Sequence, residues 1–301
     1  MSSLAAKRLL LVHAHPDDET INNGATMAGY VAQGAQVTLV TCTRGEEGEV
    51  LVPDLAHLAA ARDNALGPYR VGELARAMAE LNVTDHLFLG ESSREFRDSG
   101  MMGTPPNENP HCFWKAELDD AAGLLVEIIR DRKPQVLITY DEFGGYGHPD
   151  HIKAHQISMR AVELAADPAF GSGGAWEVSK IYWSAIPRSA LQGSLTSSNI
   201  FIKVAIKLFN YVPSKWLAMP FVKADNVVTT VFHGEEFLPN KLAALRAHAT
   251  QLIIDGNVFK FSKRLATKIG GSEYYIRVKG EAAAPFDKNG RELDLFAGVS
   301  E

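Results

Sequence analysis

Residues 12–19 read V-H-A-H-P-D-D-E, and this stretch decides how the fold is interpreted. It continues the apolar run Leu9–Val12, so two histidines and three acids stand where a buried strand ends. Carboxylates are avoided in apolar surroundings unless something compensates their charge. The stretch therefore predicts a strand over Arg8–Ala14 whose carboxyl end opens onto a site that holds a metal ion.

The first half of the chain alternates short apolar runs with helical patterns. Further strands are predicted at Val37–Thr43, His86–Leu89 and Gln135–Tyr140, and helices at Thr20–Gln33, His57–Leu81 (with a possible break at Gly67-Pro68), Leu118–Arg132 and His148–Ala166. Such alternation is typical of βαβ units with right-handed crossovers and a parallel sheet. We therefore predict an α/β fold with a Rossmann-like, mostly parallel sheet flanked by helices.

The second half is less regular. It contains predicted strands at Val178–Ser184 and Asn226–Phe232, a helix at Gly234–Ala247 and a tail broken by Gly and Pro. Asp, Pro and Gly concentrate at Asp167–Gly174, which favours a boundary there. We predict that residues 1–170 form the α/β domain that carries the site. Residues 171–301 would form a smaller C-terminal α+β part that completes the substrate pocket.

Composition limits the classes of protein and of partner. The chain has 301 residues and a net charge of −6, which argues against binding nucleic acid. Two cysteines, Cys42 and Cys112, indicate free thiols in a reducing compartment. The apolar stretch after Lys7-Arg8 is too short for a signal peptide, and Ile200–Phe221, interrupted by lysines, is no membrane span. We expect a cytoplasmic protein without a membrane partner.

A second tetrad, His148-Pro149-Asp150-His151, repeats the pattern of His15-Pro16-Asp17-Asp18 far along the chain. Each tetrad follows a predicted strand and precedes a predicted helix, whose first turn tolerates proline. Both tetrads therefore lie at carboxyl ends of parallel strands, the edge at which open α/β sheets bind ligands. We expect the two segments to converge on one site.

The residue types in the two tetrads favour a divalent metal. His15 and Asp18 are three residues apart at a helix start and can point to the same side, and His151 adds a third ligand. Three protein ligands leave open positions, as catalytic zinc sites require. The same set matches the facial triad of ferrous enzymes. The sequence therefore predicts one ion per chain, Zn²⁺ first and Fe²⁺ second.

The remaining polar residues of the tetrads suit proton transfer. Asp17 is free to act as a base toward water, and His148 could donate a proton from the opposite side. Asp150 could orient His148. Tyr146, in the loop before His148, is either a hydrogen-bond donor to a developing oxyanion or a packed loop residue.

Three other features leave alternatives open. His13 is either a hydrogen-bonded support or a further ligand. The stretch Glu46–Glu49 is either a solvated acidic loop or a rim that binds hydroxyls or a cation. Arg97 and Asp98 either hydrogen-bond a polyol or form a surface salt bridge.

These motifs resemble those of the metal-dependent N-acetylglucosaminyl-phosphatidylinositol de-N-acetylases, the LmbE-like family, whose hallmark is P-D-D-E with a downstream H-P-D-H. Within the family, the chain is most similar to the branch that deacetylates N-acetylglucosaminyl-inositol in mycothiol biosynthesis. The resemblance spans most of the chain, except about Gly171–Lys223. Its other stretches are N-G-A-T, V-T-C-T-R-G-E-E-G-E-V, Y-R-V-G-E-L, R-D-S-G-M, Y-D-E-F-G-G-Y-G-H-P-D-H and L-R-A-H-A-T-Q.

The resemblance implies a zinc-dependent N-deacetylase that hydrolyses a linear amide of a small pseudodisaccharide. It also implies a role for nine residues. His15, Asp18 and His151 would bind the metal, Asp17 would be the general base, His148 the general acid tuned by Asp150, Tyr146 the oxyanion donor, and Arg70 and Asp98 the residues that hold the inositol hydroxyls.

Other activities remain open. Related amidases that cleave mycothiol S-conjugates tend to carry a lysine shortly after P-D-D-E and to read G-Y-P-H-P-D-H. This chain has Asn22-Asn23-Gly24 and G-Y-G-H-P-D-H instead. A bacillithiol-type deacetylase is a third option. A noncatalytic sugar- or nucleotide-binding module is a fourth, although the first strand–helix junction lacks the G-x-G-x-x-G of dinucleotide sites.

Overall fold

The structure, a computed structural model, describes residues 4–91, 93–190, 222–253 and 271–300. The strands are β1 Arg8–His13, β2 Gln36–Thr41, β3 Asp85–Phe88, β4 Val136–Thr139, β5 Lys180–Pro187, β6 Val222–Lys223, β7 Thr230–His233 and β8 Ser272–Lys279. The helices are α1 Asp18–Ala32, α2 Leu66–Leu81, α3 Leu118–Arg132, α4 Gly144–Gly147, α5 Pro149–Ala166 and α6 Leu238–Ala247. Short 3₁₀ turns span Pro53–Leu58, Pro105–Glu108, Phe113–Lys115, Asp225–Val227 and Glu235–Phe237.

One sheet organises these elements. Strands β1 to β5 run parallel in the order β3-β2-β1-β4-β5. At the centre of the sheet, Leu10 of β1 aligns with Thr38 of β2 and Leu137 of β4. Residues Leu9 to Val12 are fully buried, as expected for a parallel strand covered on both faces. The predicted Rossmann-like α/β fold is confirmed.

Alternate residues of β1 face two separate apolar layers, because side chains alternate along a strand. Leu10 and Val12 pack in a cluster with α3 and α5 on one face. Leu9 and Leu11 pack on the other face in a cluster that includes residues of α1, α2 and α6. The sheet is thus enclosed between two helical layers, and only its strand ends are left to form a site.

The second half of the chain extends the same sheet. β8 pairs antiparallel with β5, β7 pairs antiparallel with β8, and β6 pairs with the end of β5. The predicted broken tail was wrong over β8. Its S-E-Y-Y-I-R-V-K pattern buries the charged Glu273, which binds Lys241 of α6, so hydropathy does not identify this strand.

Two further boundaries differ from the prediction. The possible helix break at Gly67-Pro68 was wrong, because both residues lie in the first turn of α2, where proline is tolerated. The interruption lies earlier, between the 3₁₀ turn Pro53–Leu58 and α2. The predicted strand over Asn226–Phe232 begins only at Thr230, because Asp225–Val227 is a 3₁₀ turn.

Several expectations concern the partners and the domain boundary. Within the described ranges, no helix has both the length and the apolar character needed to cross a bilayer. The segment Ile200–Phe221 lies outside them. Cys42 and Cys112 are buried free thiols. Helix α5 ends at Ala166, directly before the boundary predicted at Asp167–Gly174, and the division into two parts stays a prediction.

Candidate metal centre

The site lies where the order of the strands reverses. β2 and β3 lie on one side of β1, whereas β4 and β5 lie on the other. Open α/β sheets bind ligands at such a point, outside the carboxyl ends of the strands. The tetrad His15–Asp18 leads from β1 into α1, and the tetrad His148–His151 leads into α5 after β4. The two tetrads meet there, with the ring centres of His15 and His148 4.6 Å apart.

Three ligand atoms form an equilateral triangle at this edge. The distances between His15 Nδ1, Asp18 Oδ2 and His151 Nε2 are each 3.3 Å. Ligand atoms arranged tetrahedrally at zinc–ligand distances of about 2.0–2.1 Å are separated by about 3.3–3.4 Å. The spacing of these three atoms therefore fits one tetrahedral ion with a position left open.

The protonation of Asp18 also suits a cation. Burial raises its pKa, but His151 and His15 outweigh that effect and hold the pKa well below its ordinary value. The side chain is therefore a carboxylate, the form that binds metals.

The outer nitrogen of each histidine has its own acceptor. His15 Nε2 lies 3.1 Å from Asp150 Oδ2, and His151 Nδ1 lies 3.1 Å from the carbonyl oxygen of Gly144. With the ring hydrogens on these outer nitrogens, the triangle nitrogens would be free to bind a metal ion. Such outer partners fix the tautomer and the orientation of metal-binding imidazoles.

Tyr140 supports the other side of the triangle. Its ring stacks on His151 with the ring centres 4.3 Å apart. Its hydroxyl accepts the Ala14 N–H at 2.9 Å, and burial and the charge of Asp18 raise its pKa. Tyr140 therefore packs on one candidate ligand, His151, and lies within the electrostatic reach of a second, Asp18.

Within the described ranges, two other groups of three residues have potential ligand atoms within 4.8 Å of one another. His148 groups with His15 and His151; its Nδ1 accepts the Asp150 N–H, which leaves Nε2 as the nitrogen that could face an ion. Asp98 and Asp150 group with His15, but both carboxylates already accept hydrogen bonds from the loop around Ser99. The triangle that includes Asp18 is distinguished by its three equal separations of 3.3 Å.

Asp17 lies beside the triangle in an unusual backbone conformation. Its φ is 115°, in the left-handed region that non-glycine residues rarely adopt. Its carboxylate lies 3.2 Å from Arg70 Nη2. Burial raises the pKa of Asp17 to about 6 despite the opposing charge of Arg70. A base with a pKa near neutrality is well placed for proton transfer.

His148 is the N-cap of α5, and its Nδ1 accepts the backbone N–H of Asp150 at 3.2 Å. Burial, followed by the charges of His15 and His151, lowers the pKa of His148 to about 3. The ring is therefore neutral at neutral pH and carries its hydrogen on Nε2. It must gain a proton before it can act as an acid.

The carboxylate of Asp150 has different partners from those predicted. It accepts hydrogen bonds from His15 Nε2, from the Ser99 N–H at 2.9 Å and from the Ser99 hydroxyl. The expectation that this carboxylate orients His148 is not met, because only the backbone N–H of Asp150 contacts that ring. Asp150 therefore contacts the outer nitrogen of His15, the one that does not belong to the triangle.

The turn α4 carries Tyr146 over the site. The Tyr146 ring lies 4.9 Å from the His151 ring, between ring centres, and 47% of the residue is exposed. Gly144, with φ 64°, must be glycine, because a Cβ there would lie 2.7 Å from the Cβ of His151. This close approach lets the Gly144 carbonyl accept the His151 hydrogen bond.

Arg70 and Asp98 border the same space. Arg70, on α2, is buried and donates to the carbonyls of Pro16 and Gly45 as well as to Asp17. Asp98 accepts the Gly100 N–H at 2.8 Å, and its Oδ1 lies 3.6 Å from His15 Nε2. Both residues lie close to the tetrads, and the role toward inositol hydroxyls that the resemblance implied for them stays a prediction.

The contacts of His13 and of the Glu46–Glu49 loop bear on the alternatives left open for them. His13 Nε2 is 2.7 Å from Asn23 Oδ1, which matches a support. Glu46 accepts the Asp98 N–H, and Glu47 forms a salt bridge with Arg97. The loop of these two acids is therefore bound to the Asp98 segment rather than freely solvated.

Sequence reasoning did not single out four residues that contact the centre or its neighbours. Tyr140 and Ser99 hold ligands or their partners, and Glu19 and His248 form a buried pair beside Asp17. Glu19 and His248 lay inside quoted motifs. Only their distance in sequence hid the contact between them.

Comparison with known proteins identifies what this chain resembles. A family profile described as PIG-L, GlcNAc-PI de-N-acetylase, matches residues 10–162. A protein of Streptomyces avermitilis named 1D-myo-inositol 2-acetamido-2-deoxy-alpha-D-glucopyranoside deacetylase is 54% identical, with both chains covered completely. A protein of the same name from Geodermatophilus obscurus is 53% identical over 98% of each chain.

Solved structures share the fold at low identity. An N,N'-diacetylchitobiose deacetylase from Pyrococcus horikoshii has a TM-score of 0.59 at 18% identity, over 91% of this chain and 84% of that one. A 4-carboxy-2-hydroxymuconate hydratase from Pseudomonas putida also has a TM-score of 0.59, at 16% identity over 93% and 100%. A deacetylase and a hydratase share this architecture, so the fold alone does not decide the activity.

Proposed function

Because the chain belongs to the PIG-L family of GlcNAc-PI de-N-acetylases, we propose that it deacetylates 1D-myo-inositol 2-acetamido-2-deoxy-α-D-glucopyranoside. The products are acetate and the free-amine glucosaminyl-inositol, a step of mycothiol biosynthesis. The observation that carries the proposal is the 3.3 Å triangle of His15, Asp18 and His151, present in a chain 54% identical over its full length to a deacetylase of that name.

The open coordination position supports an enzyme rather than a binding module. Structural zinc sites are normally closed by four protein ligands, whereas catalytic sites keep one position free. The triangle supplies three ligands, and another carboxylate, that of Asp17, lies beside it with Arg70 as its partner. We propose Zn²⁺ as the first candidate and Fe²⁺ as the second, one ion per chain. A bound divalent ion would polarise the acetamido carbonyl and lower the pKa of water.

The protein residues then divide the proton transfers between them. Asp17 takes a proton from the attacking water. Tyr146 donates a hydrogen bond to the oxygen that becomes negative. That developing negative charge raises the proton affinity of the neutral His148 ring. The ring takes up a proton from solvent and passes a proton to the departing amine, and Asp17 returns the proton that it took from the water to solvent. The carbon–nitrogen bond breaks as the amine leaves.

Arg70 and Asp98 are the proposed contacts for the inositol hydroxyls. Arg70 Nε is a buried donor with no hydrogen-bond partner among the residues that the structure describes. The carboxylate of Asp98 can accept a hydrogen bond from a hydroxyl group of the ligand. A donor and an acceptor on the rim of one centre suit a ligand that presents several hydroxyl groups.

The proposal also covers the compartment, the partners and the role of the C-terminal part. We propose a cytoplasmic enzyme for a small pseudodisaccharide, with neither nucleic acid nor membrane as a partner. The net charge of −6 supports this. We also propose that residues 171–301 complete the pocket begun by residues 1–170. The contact between His248 and Glu19 supports that arrangement.

The direct test is release of free amine, measured with fluorescamine, from N-acetylglucosaminyl-inositol. Metal-stripped protein is assayed alone and after addition of Zn²⁺ or Fe²⁺, with the bimane conjugate of mycothiol in parallel. We expect metal-dependent release from the first substrate that is much faster than cleavage of the second. Preference for the conjugate would move the protein to the amidases. No release from either substrate by the metal-loaded protein would contradict the proposal.

Replacing Asp150 with Asn is expected to weaken metal binding by about 10- to 100-fold, the usual range for partners of metal-binding imidazoles. The reason is that His15 loses its charged acceptor at 3.1 Å. The matched control is Asp98→Asn, whose carboxylate lies 3.6 Å from the same nitrogen. Competition with a chelator measures the dissociation constant. Asp98→Asn should raise KM and change metal binding less. Equal metal loss in the two variants would contradict the role of Asp150.

A further inference from the structure

The left-handed backbone of Asp17 needs an external support. A φ of 115° is unfavourable for any residue with a Cβ and persists only where surrounding contacts hold it. A change in this angle would move the Asp17 carboxylate relative to His15 and Asp18. The contacts of the Asp17 backbone therefore decide where the proposed base points.

Glu19 supplies that contact from inside α1. The Asp17 N–H donates to Glu19 Oε2 at 2.9 Å. The other oxygen of Glu19, Oε1, lies 3.0 Å from His248 Nε2 and also accepts the Thr20 hydroxyl. Glu19 and His248 are both completely buried. One oxygen of Glu19 thus holds Asp17, and the other is fixed by a histidine 229 residues away.

His248 is itself held in place by the residues after α6. Two positions further along, the Thr250 N–H and hydroxyl donate to the carboxylate of Glu73 on α2 at 2.8 Å and 2.6 Å. The carbonyl oxygen of Thr250 accepts the Leu51 N–H at 2.8 Å. These hydrogen bonds fix the segment against α2 and against the loop that contains Leu51. They therefore also fix the position from which His248 contacts Glu19.

We propose that Glu19 and His248 are positioning residues, and that together they hold the Asp17 backbone so that its carboxylate faces the metal centre. This inference rests on the proposed function of Asp17 as the base. It gives the C-terminal part of the chain a defined task in catalysis. Glu19 acts here through its geometry as a hydrogen-bond acceptor, not through proton transfer.

Four variants test the proposal against a merely structural role. His248→Leu removes the donor to Glu19, whereas the amide of His248→Gln can still donate to it. Glu19→Gln can keep both contacts, because His248 Nδ1 has no hydrogen-bond partner among the described residues and can carry the ring hydrogen instead. Thr250→Val is the control for a general loss of stability: it removes the buried hydroxyl bond to Glu73 but leaves the backbone hydrogen bonds that hold the segment, and the contact of His248 with Glu19, in place.

Two readouts are needed. Amide hydrogen exchange at Asp17, followed by NMR on protein labelled with ¹⁵N-aspartate, reports the contact without any substrate. Amine release reports its effect on catalysis, and metal affinity is measured beside it. We expect His248→Leu to exchange faster at Asp17 and to lower kcat by about 10- to 100-fold, the effect of a small misplacement of a catalytic group. KM and metal affinity should stay close to those of the wild type. His248→Gln and Glu19→Gln should retain most of kcat.

Each contrary result has one meaning. Unchanged exchange in His248→Leu, or the same kcat as in Thr250→Val, would overturn the proposal. Loss of kcat in Glu19→Gln as large as in an Asp17 variant would show that Glu19 acts through its charge, and would also overturn it. If His248→Leu does not fold, His248→Gln and Glu19→Leu are compared in its place. If the wild type releases no amine, the proposed function fails, and the exchange measurement alone decides whether the contact holds Asp17.

Discussion

Asp17→Asn is expected to lower kcat by about 10²- to 10⁴-fold, the usual contribution of a general base. The metal should remain, because the three candidate ligands are His15, Asp18 and His151. Asn is the most conservative replacement for the backbone, because Asp17 has a φ of 115° and Asn tolerates a positive φ better than most residues. It therefore removes the carboxylate charge with little change in the backbone.

The measurement is steady-state amine release together with metal content. The control is Asp17→Ala, which removes the same group but places a Cβ without a side-chain acceptor at an unfavourable φ. We expect both variants to bind the metal, and Asp17→Ala also to be less stable. Retention of more than a tenth of the wild-type kcat by Asp17→Asn would contradict the role of Asp17 as the base. A binding module would have no turnover to lose.

The parallel half of the fold was predictable because its signals are local. Leu9–Val12 is an uninterrupted apolar run, and strands of this type occur where both faces of a sheet are covered. Each tetrad marks its own strand–helix junction with a histidine followed by proline. The convergence of the two junctions then follows from the topology of parallel sheets and needs no knowledge of side-chain contacts.

The contacts of Asp150 could not be predicted in the same way. His148 and Asp150 are two residues apart at the start of α5, and side chains with that spacing do not face each other on a helix. At a helix start the N-cap side chain instead accepts a backbone N–H from the first turn, which His148 does. The carboxylate of Asp150 is thus left to face Ser99 and His15. Ser99 and His15 lie 51 and 135 residues away from Asp150 in the sequence, so no local sequence pattern reveals these contacts.

The last strand, β8, was missed for a related reason. β8 owes its place to pairing with β5 and β7 and to buried charges such as Glu273 with Lys241. Hydropathy treats charged residues as exposed, and charged groups are in fact rarely buried without a partner. The partners of these charges lie far away in the sequence. The same arrangement recurs at Glu292, where its effect on stability can be measured.

Glu292→Gln is expected to lower the free energy of unfolding by about 3–5 kcal/mol, the effect of removing one partner from a buried ion pair. The Glu292 carboxylate is fully buried and lies 2.7 Å from Lys180 Nζ. It also accepts hydrogen bonds from the Thr230 hydroxyl, the Ala283 N–H and Arg277. These donors come from β5, β7, β8 and the tail, so one carboxylate joins the antiparallel strands to the parallel sheet.

The free energy of unfolding of each variant is measured by denaturation in urea, followed by circular dichroism on metal-loaded protein. Because the harm comes from the uncompensated charge of Lys180, Lys180→Met should recover part of the stability when it is added to Glu292→Gln. Asp119→Asn is the surface control, since Asp119 forms an exposed salt bridge with Arg160, and its effect should be much smaller. Equal effects of Glu292→Gln and Asp119→Asn would contradict the prediction.

The pH dependence of stability gives a second measure of the same carboxylate. Burial raises the pKa of Glu292, but its hydrogen bonds, first among them that from Lys180, hold the pKa below its ordinary value. A carboxyl group with a lowered pKa in the folded state stabilises the protein above its unfolded pKa, and this stabilisation is lost as the pH falls through the folded pKa. The wild type should therefore lose part of its advantage over Glu292→Gln on acidification. A constant difference between the two proteins from neutral to acidic pH would mean that Glu292 contributes through its shape and not through its charge.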